Sequence, residues 1–153
     1  MDHAGSSPFA RDAWCVALLA LLAFVNAIDA GFVYDDQAFV VTNASVIDGA
    51  GIFTEPTPPQ RPDLGLYRPL TVSTYWIQNA IHGLAPVWFH AVNVLLHALV
   101  SVLVLRVGRQ FFAARAAALS AALLFAVHPI HVEAVAWIVG RAELLAAAFA
   151  LTA

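Results

Sequence analysis

Long apolar runs alternate with short polar stretches along this chain. Residues 13–30 carry no charge before Asp29, and residues 86–105 carry none at all. A bilayer crossing needs about 17–25 largely apolar residues, so both runs predict membrane-spanning helices. Residues 111–127 predict a third span, short and Ala-rich. Residues 142–153 predict the start of a fourth. That run meets no Gly, Pro or polar stop, so the chain is expected to be the N-terminal part of a longer protein. A cleaved signal peptide is the rival reading of residues 13–30, on the small residues near Ala27 and Ala30. Against it, the preceding tail is not clearly basic, and Asp29 falls where a cleavage region is bland.

The polar stretches differ from one another. Residues 1–12 read as a disordered tail. Residues 31–85 form a loop in which Pro56, Pro58, Pro59 and Pro62, with Gly49, Gly51 and Gly65, leave no room for a long regular element. Within it, residues 67–82 predict a helix, with Pro69 in its first turn and Gly83 at its end. Leu70, Ile77 and Ile81 share one face, and Tyr75 and Trp76 suit headgroup depth. That pattern fits a helix lying in the interface plane. Asn43-Ala44-Ser45 has the form of a glycosylation acceptor.

Arg106, Arg109 and Arg115 fall in a segment, residues 106–115, that holds no acid. The positive-inside rule assigns this segment, and with it residues 1–12, to the cytoplasm. Residues 31–85 and 128–141 then share the opposite face. In the second span His90, Asn93, His97 and Ser101 recur every three or four residues. Such a stripe predicts contact with other helices, because lipid would leave those groups unpaired.

Composition sharpens the membrane reading. Apolar residues make up 61% of the 153 positions and charged ones 11%, against about 45–50% and 25% in soluble domains. A net charge of −3 gives no reason to expect nucleic-acid binding. One cysteine, Cys15, excludes an internal disulfide.

Two stretches carry candidate chemistry. Asp35 and Asp36 follow the first span within Phe32-Val33-Tyr34-Asp35-Asp36. Lipid excludes such a pair, so they belong at or outside the interface, where acids can act on a lipid-borne substrate. The second stretch runs from His128 to Glu143. On a helix starting at Pro129, Glu133, Trp137 and Arg141 line one ridge at four-residue spacing. A guanidinium matches phosphate oxygens, and an indole face suits a sugar ring. A divalent cation on His128, His131 and Glu133 is the alternative there, although their spacing is not that of an H-E-x-x-H site.

The blocks Phe-Val-Tyr-Asp-Asp (32–36), Tyr-Arg-Pro-Leu (67–70), Trp-Phe-His-Ala-Val-Asn-Val-Leu-Leu-His (88–97), His-Pro-Ile-His-Val-Glu-Ala-Val (128–135) and Gly-Arg-Ala-Glu-Leu-Leu (140–145) occur in that order. The chain resembles, over residues 13–153, the N-terminal membrane region of the transmembrane and tetratricopeptide repeat (TPR) O-mannosyltransferases of the GT-C superfamily. The resemblance implies an all-α polytopic fold. It would comprise the first three to four transmembrane helices of a GT-C-type domain, with an interfacial helix in the first external loop. It implies transfer of a sugar, mannose, from a polyprenyl or dolichyl phosphate donor to protein Ser/Thr hydroxyls. The active face would be periplasmic or lumenal, on a bacterial inner membrane or the endoplasmic reticulum. Asp35 would be the general base, Asp36 its support and Glu133 the acid of the second external loop. Arg68 and Arg141 would hold the lipid phosphate, with Tyr67, His131 and Trp137 as further substrate contacts. No cofactor is implied. A TPR array would need chain beyond Ala153.

Two rival readings come from other classes. One is a non-catalytic membrane scaffold whose repeats bind partners. The other is a transporter or flippase of lipid-linked sugars, with the His90–Ser101 stripe lining its path. A site shared by Asp35, Arg68, Glu133 and Arg141 would separate the enzyme from both.

Overall fold

A computed structural model describes residues 7–153; the tail residues 1–6 lie outside the described residues. All regular structure in it is helical. Helix α1 (Pro8–Phe24) starts earlier than the apolar run, because the Ser7 hydroxyl accepts the Ala10 N–H at 3.2 Å and Pro8 takes the first turn. Residues 8–12, expected in the tail, are therefore helical. A 3-10 turn (Val25–Asp29) extends α1 to 22 residues, long and apolar enough to cross a membrane.

The first loop is compact. A short helix α2 (Ala44–Ile47) is capped by Asn43, whose Oδ1 accepts the Ser45 N–H at 3.0 Å while its Nδ2 donates to Phe39 O. Asn43 is fully buried, so the folded chain does not present it as a glycosylation acceptor. Helix α3 (Pro69–His82) follows, starting two residues later than predicted and ending at Gly83, φ +65°. Leu70, Ile77 and Ile81 are all exposed, as one face left uncovered by the described residues. Tyr75 departs from its expected headgroup position. It is 1% exposed, and its hydroxyl donates to Ile138 O at 2.8 Å.

Helix α4 (Pro86–Phe111) is the second candidate span, at 26 residues. It outruns the predicted 86–105, so Arg106 and Arg109 lie on its last turns and not in a loop. Helix α5 (Arg115–Val127) has 13 residues, too few to cross alone. It reaches span length only together with the segment Pro129–Ala136, bent from it by 45°. The structure thus has two or three candidate membrane-spanning helices. Ala118, Ala122 and Ala126 are fully buried along α5 and bring it close to α1 and α4.

The polar stripe on α4 points inward as expected: His90, Asn93, His97 and Ser101 are each 0–1% exposed. His97 Nε2 bonds Ala126 O at 3.0 Å, and the Ser101 hydroxyl donates to His97 O at 2.8 Å.

The largest departure lies between residues 128 and 141. A 3-10 turn (Pro129–His131) leads into α6 (Val132–Ala136), which stops at Trp137, where ψ is 134°. Helix α7 (Arg141–Thr152) begins only after this break. The expected ridge of Glu133, Trp137 and Arg141 therefore does not exist. Other elements hold the break open. Asn93 Nδ2 donates to Trp137 O at 2.8 Å, and Tyr75 takes Ile138 O. Gly140 is required by contact: a Cβ there would sit 2.5 Å from Ala134 O.

Candidate functional site

The turn that carries Asp35 is built by its neighbour. Asp36 is 1% exposed. Its Oδ2 accepts the Val33 N–H at 3.1 Å, and its own N–H donates to Val33 O at 2.9 Å. Its Oδ1 accepts the Val139 N–H at 3.2 Å. Asp36 thereby joins the first loop to the break between α6 and α7. Burial pushes its carboxyl above the usual carboxylate range, and the Val33 and Val139 amides pull it part of the way back. With both oxygens engaged, Asp36 shapes the turn and does not face the site.

Among the described residues, Tyr34 is the non-glycine residue with positive φ, at 45°. Such left-handed strain concentrates at functional turns. It leaves the Tyr34 ring 83% exposed, with its centroid 6.0 Å from that of Trp137. Asp35, next in sequence, is exposed.

Asp35 opens onto a cleft of about 350 Å³. Its walls come from three segments: Asp35 and Phe39; Arg61, Leu64, Leu66 and Arg68; and Glu133, Trp137, Val139, Gly140 and Glu143. The cleft collects three carboxylates and two guanidiniums. Arg61 donates to both oxygens of Asp63, at 3.0 Å for Nε to Oδ1 and 3.0 Å for Nη2 to Oδ2. This hydrogen-bonded pairing holds Asp63 below the usual carboxylate range. The Arg68 guanidinium lies 6.0 Å from the Phe39 ring centroid. Neither ion pair among the described residues involves Arg68. Arg68 and Glu143 also border a second, more open cavity with Tyr67, Leu70 and Ala146.

The sequence-predicted residues therefore divide. Asp35, Arg68, Glu133 and Trp137 share the cleft. Tyr67 borders the adjoining cavity, and its hydroxyl is spent on Phe53 O at 2.8 Å. His131 lies elsewhere, its ring 4.2 Å from Phe125 and 5.2 Å from His97 between centroids. His128, His131 and Glu133 do not converge: among the described residues no group of three or more His, Cys, Asp or Glu could hold a metal ion.

Arg141, expected to hold a phosphate, lies in the interior. It is fully buried. Its Nε donates to Asn93 Oδ1 at 2.9 Å, Nη1 to the Thr74 hydroxyl at 3.1 Å and Nη2 to Phe89 O at 2.9 Å. Its guanidinium carbon stands 4.6 Å from the Tyr75 ring centroid. Burial lowers its pKa to about 10, which leaves it charged at neutral pH. Arg141 is not among the residues that line the cleft.

Two cleft residues escaped the sequence reading. Arg61 sits in a Pro-rich stretch without periodicity, and Glu143 is the second residue of what reads as an apolar run.

Comparison with known proteins decides the kinship. Protein O-mannosyl-transferase Tmtc2 of Drosophila melanogaster is 42% identical over 143 residues, covering 84% of this chain. Human Protein O-mannosyl-transferase TMTC1 is 42% identical over 146 residues, covering 88%. Human Protein O-mannosyl-transferase TMTC4 is 37% identical over 175 residues, covering 99%. The chain is homologous to the TMTC protein O-mannosyl-transferases. It spans only 14%, 17% and 24% of the lengths of these three relatives. No protein-family model matches the chain, and no solved structure matches it.

Proposed function

We propose that this chain is part of a GT-C-type membrane glycosyltransferase. It would move a sugar, mannose, from a polyprenyl or dolichyl phosphate to Ser/Thr hydroxyls of proteins. The homology supports the activity. The observation that carries the reading is the cleft, where exposed Asp35 and Glu133 stand with Arg61 and Arg68.

Asp35 takes the proton of the acceptor hydroxyl as its oxygen forms a bond to the anomeric carbon. The bond from that carbon to the phosphate oxygen breaks, and the electron pair leaves with the lipid phosphate. Inversion at the sugar follows from one displacement. Arg68, with Arg61 beside it, stabilises the phosphate as it gains charge. A phosphate leaves without acid assistance, so Glu133 serves to orient the sugar or the acceptor. Trp137 offers an aromatic face to the ring. Asp36 and Arg141 act from beneath, as the residues that hold these groups in place. The cleft side is the periplasmic or lumenal face, and TPR repeats belong to chain outside these residues. The 153 residues alone would be inactive, because GT-C sites draw on more helices than are present.

The test is sugar transfer from polyprenyl-phosphate mannose to a Ser/Thr peptide by purified protein containing this chain. Asp35→Asn should lose transfer while binding of the donor lipid persists. Unchanged transfer in Asp35→Asn would remove Asp35 as the base, and absence of transfer by the wild type would favour a scaffold. Sugar-lipid movement without a peptide acceptor would favour a transporter.

A further inference from the structure

The end of the bundle away from the cleft carries a second concentration of charge. There α1 begins, α4 ends and α5 begins. Arg115 Nε donates to Asp12 Oδ2 at 2.8 Å, and Nη2 to Oδ1 at 2.7 Å. Asp12 is the acid at this end among the described residues, and its side chain is 5% exposed. Arg115 is satisfied by it.

Arg11, Arg106 and Arg109 are exposed, and neither ion pair among the described residues involves them. Arg11 adjoins Asp12 on α1, and Arg109 of α4 lies against Phe9 of the same helix, so these cations gather at one end of the bundle. Arg106 stands one turn before Arg109 on α4. The Arg109 guanidinium lies 5.3 Å from the Phe9 ring centroid, a stack that leaves its edge donors free. Around these cations stand exposed aromatics: Trp14, Phe111 and Phe112.

Both candidate spans, α1 and α4, terminate here. In a bilayer this end therefore lies at headgroup depth, where the available anions are lipid phosphates. We propose that Arg11, Arg106 and Arg109 form a binding surface for anionic phospholipid headgroups, with Phe111 and Phe112 seated against the upper acyl chains. A zwitterionic headgroup brings its own cation and so meets this surface less well. Guanidinium forks suit phosphate oxygens. A basic residue near an anionic membrane surface is worth about fivefold in partitioning. The inference does not depend on the proposed transferase activity.

Purified protein containing this chain, in nanodiscs of phosphatidylcholine and phosphatidylglycerol in equal amounts, tests it. Mass spectrometry of retained lipid should find phosphatidylglycerol enriched about fivefold. Arg106→Gln with Arg109→Gln should return the ratio to that of the bulk. Arg106→Lys with Arg109→Lys should keep most of the enrichment, and added salt should weaken it. No enrichment in the wild type would overturn the proposal. So would enrichment that survives the double Gln variant, or that vanishes in Arg68→Gln instead, since the latter assigns the lipid to the cleft. Inorganic phosphate that stabilises the protein as well as phosphatidylglycerol does would overturn the choice of a lipid. If the Gln variants do not fold, the salt response and the Arg68→Gln arm still decide.

Discussion

Asp36 and Val139 stand 103 residues apart in sequence, and the Val139 amide donates to Asp36 Oδ1 at 3.2 Å. The same carboxylate takes the Val33 amide through its other oxygen. One buried side chain thus sets both the turn bearing Asp35 and the wall bearing Gly140. Asp36→Ala leaves two amides without an acceptor, at about 1–3 kcal/mol each. Hydrogen exchange should find the segments around Val33 and Val139 deprotected together, with α4 unaffected. Independent deprotection would break the proposed link.

Asp36 also predicts a pH dependence. Burial raises its folded-state carboxyl above the unfolded value of about 3.9. The native state therefore holds this proton more tightly. The associated stability is complete below the unfolded value and is lost as pH rises through the folded one. Thermal melts of wild type relative to Asp36→Asn should decline as pH rises out of the acid range and then level off. A difference that grows with pH would mean that the site prefers the carboxylate.

Arg141 predicts a stability effect with no counterpart at Arg61. Arg141→Ala opens a cavity and strips donors from Asn93, Thr74 and Phe89, so a loss of about 3 kcal/mol or more is expected. Arg141→Lys keeps the charge and loses the fork, and should fall between. Arg61→Ala should leave the melting temperature nearly unchanged, since Arg61 is exposed. Equal losses at both positions would contradict the assignment of Arg141 to the interior.

Gly140→Ala places a Cβ 2.5 Å from Ala134 O and 2.7 Å from Ala134 Cα, both backbone atoms. Overpacking against backbone costs about 1–3 kcal/mol. Gly31→Ala meets nothing within 4 Å and serves as the control. Detergent-solubilised melts of the two variants should separate accordingly.

Asp35→Asn and Glu133→Gln address the proposed chemistry. Both side chains are exposed, so their stability cost should be small. Removing a general base typically costs about 10²–10⁴-fold in rate. Transfer assays should find the loss mainly in kcat for Asp35→Asn. A change confined to KM would move Asp35 from base to binding group.

Much of this was legible from residue order. The spans at α1 and α4 follow from apolar length, and α3 from Pro69 and Gly83. The stripe from His90 to Ser101 follows from spacing. Residue type and topology also point to Asp35, Arg68, Glu133 and Trp137, which line one cleft. The failures share a cause. Periodicity through residues 129–141 assumes an unbroken helix, and the break is imposed by Asn93, Tyr75 and Asp36, all distant in sequence. An arginine near an interface reads as a surface group, whereas the acceptors that hold Arg141 inside come from α3 and α4. Arg61 and Glu143 enter the cleft only through those same long-range constraints.

The carbonyls at the joint between α6 and α7 have a mechanical consequence. Asn93 grips the joint by its amide nitrogen at Trp137 O and by its oxygen on Arg141, the first residue of α7. A single side chain of α4 therefore works as an axle pin for both short helices. Glu133 and Glu143 cannot swing apart while α4 stays still. Any widening of the mouth between them must be geared to the long helix, whose far end carries Arg106 and Arg109.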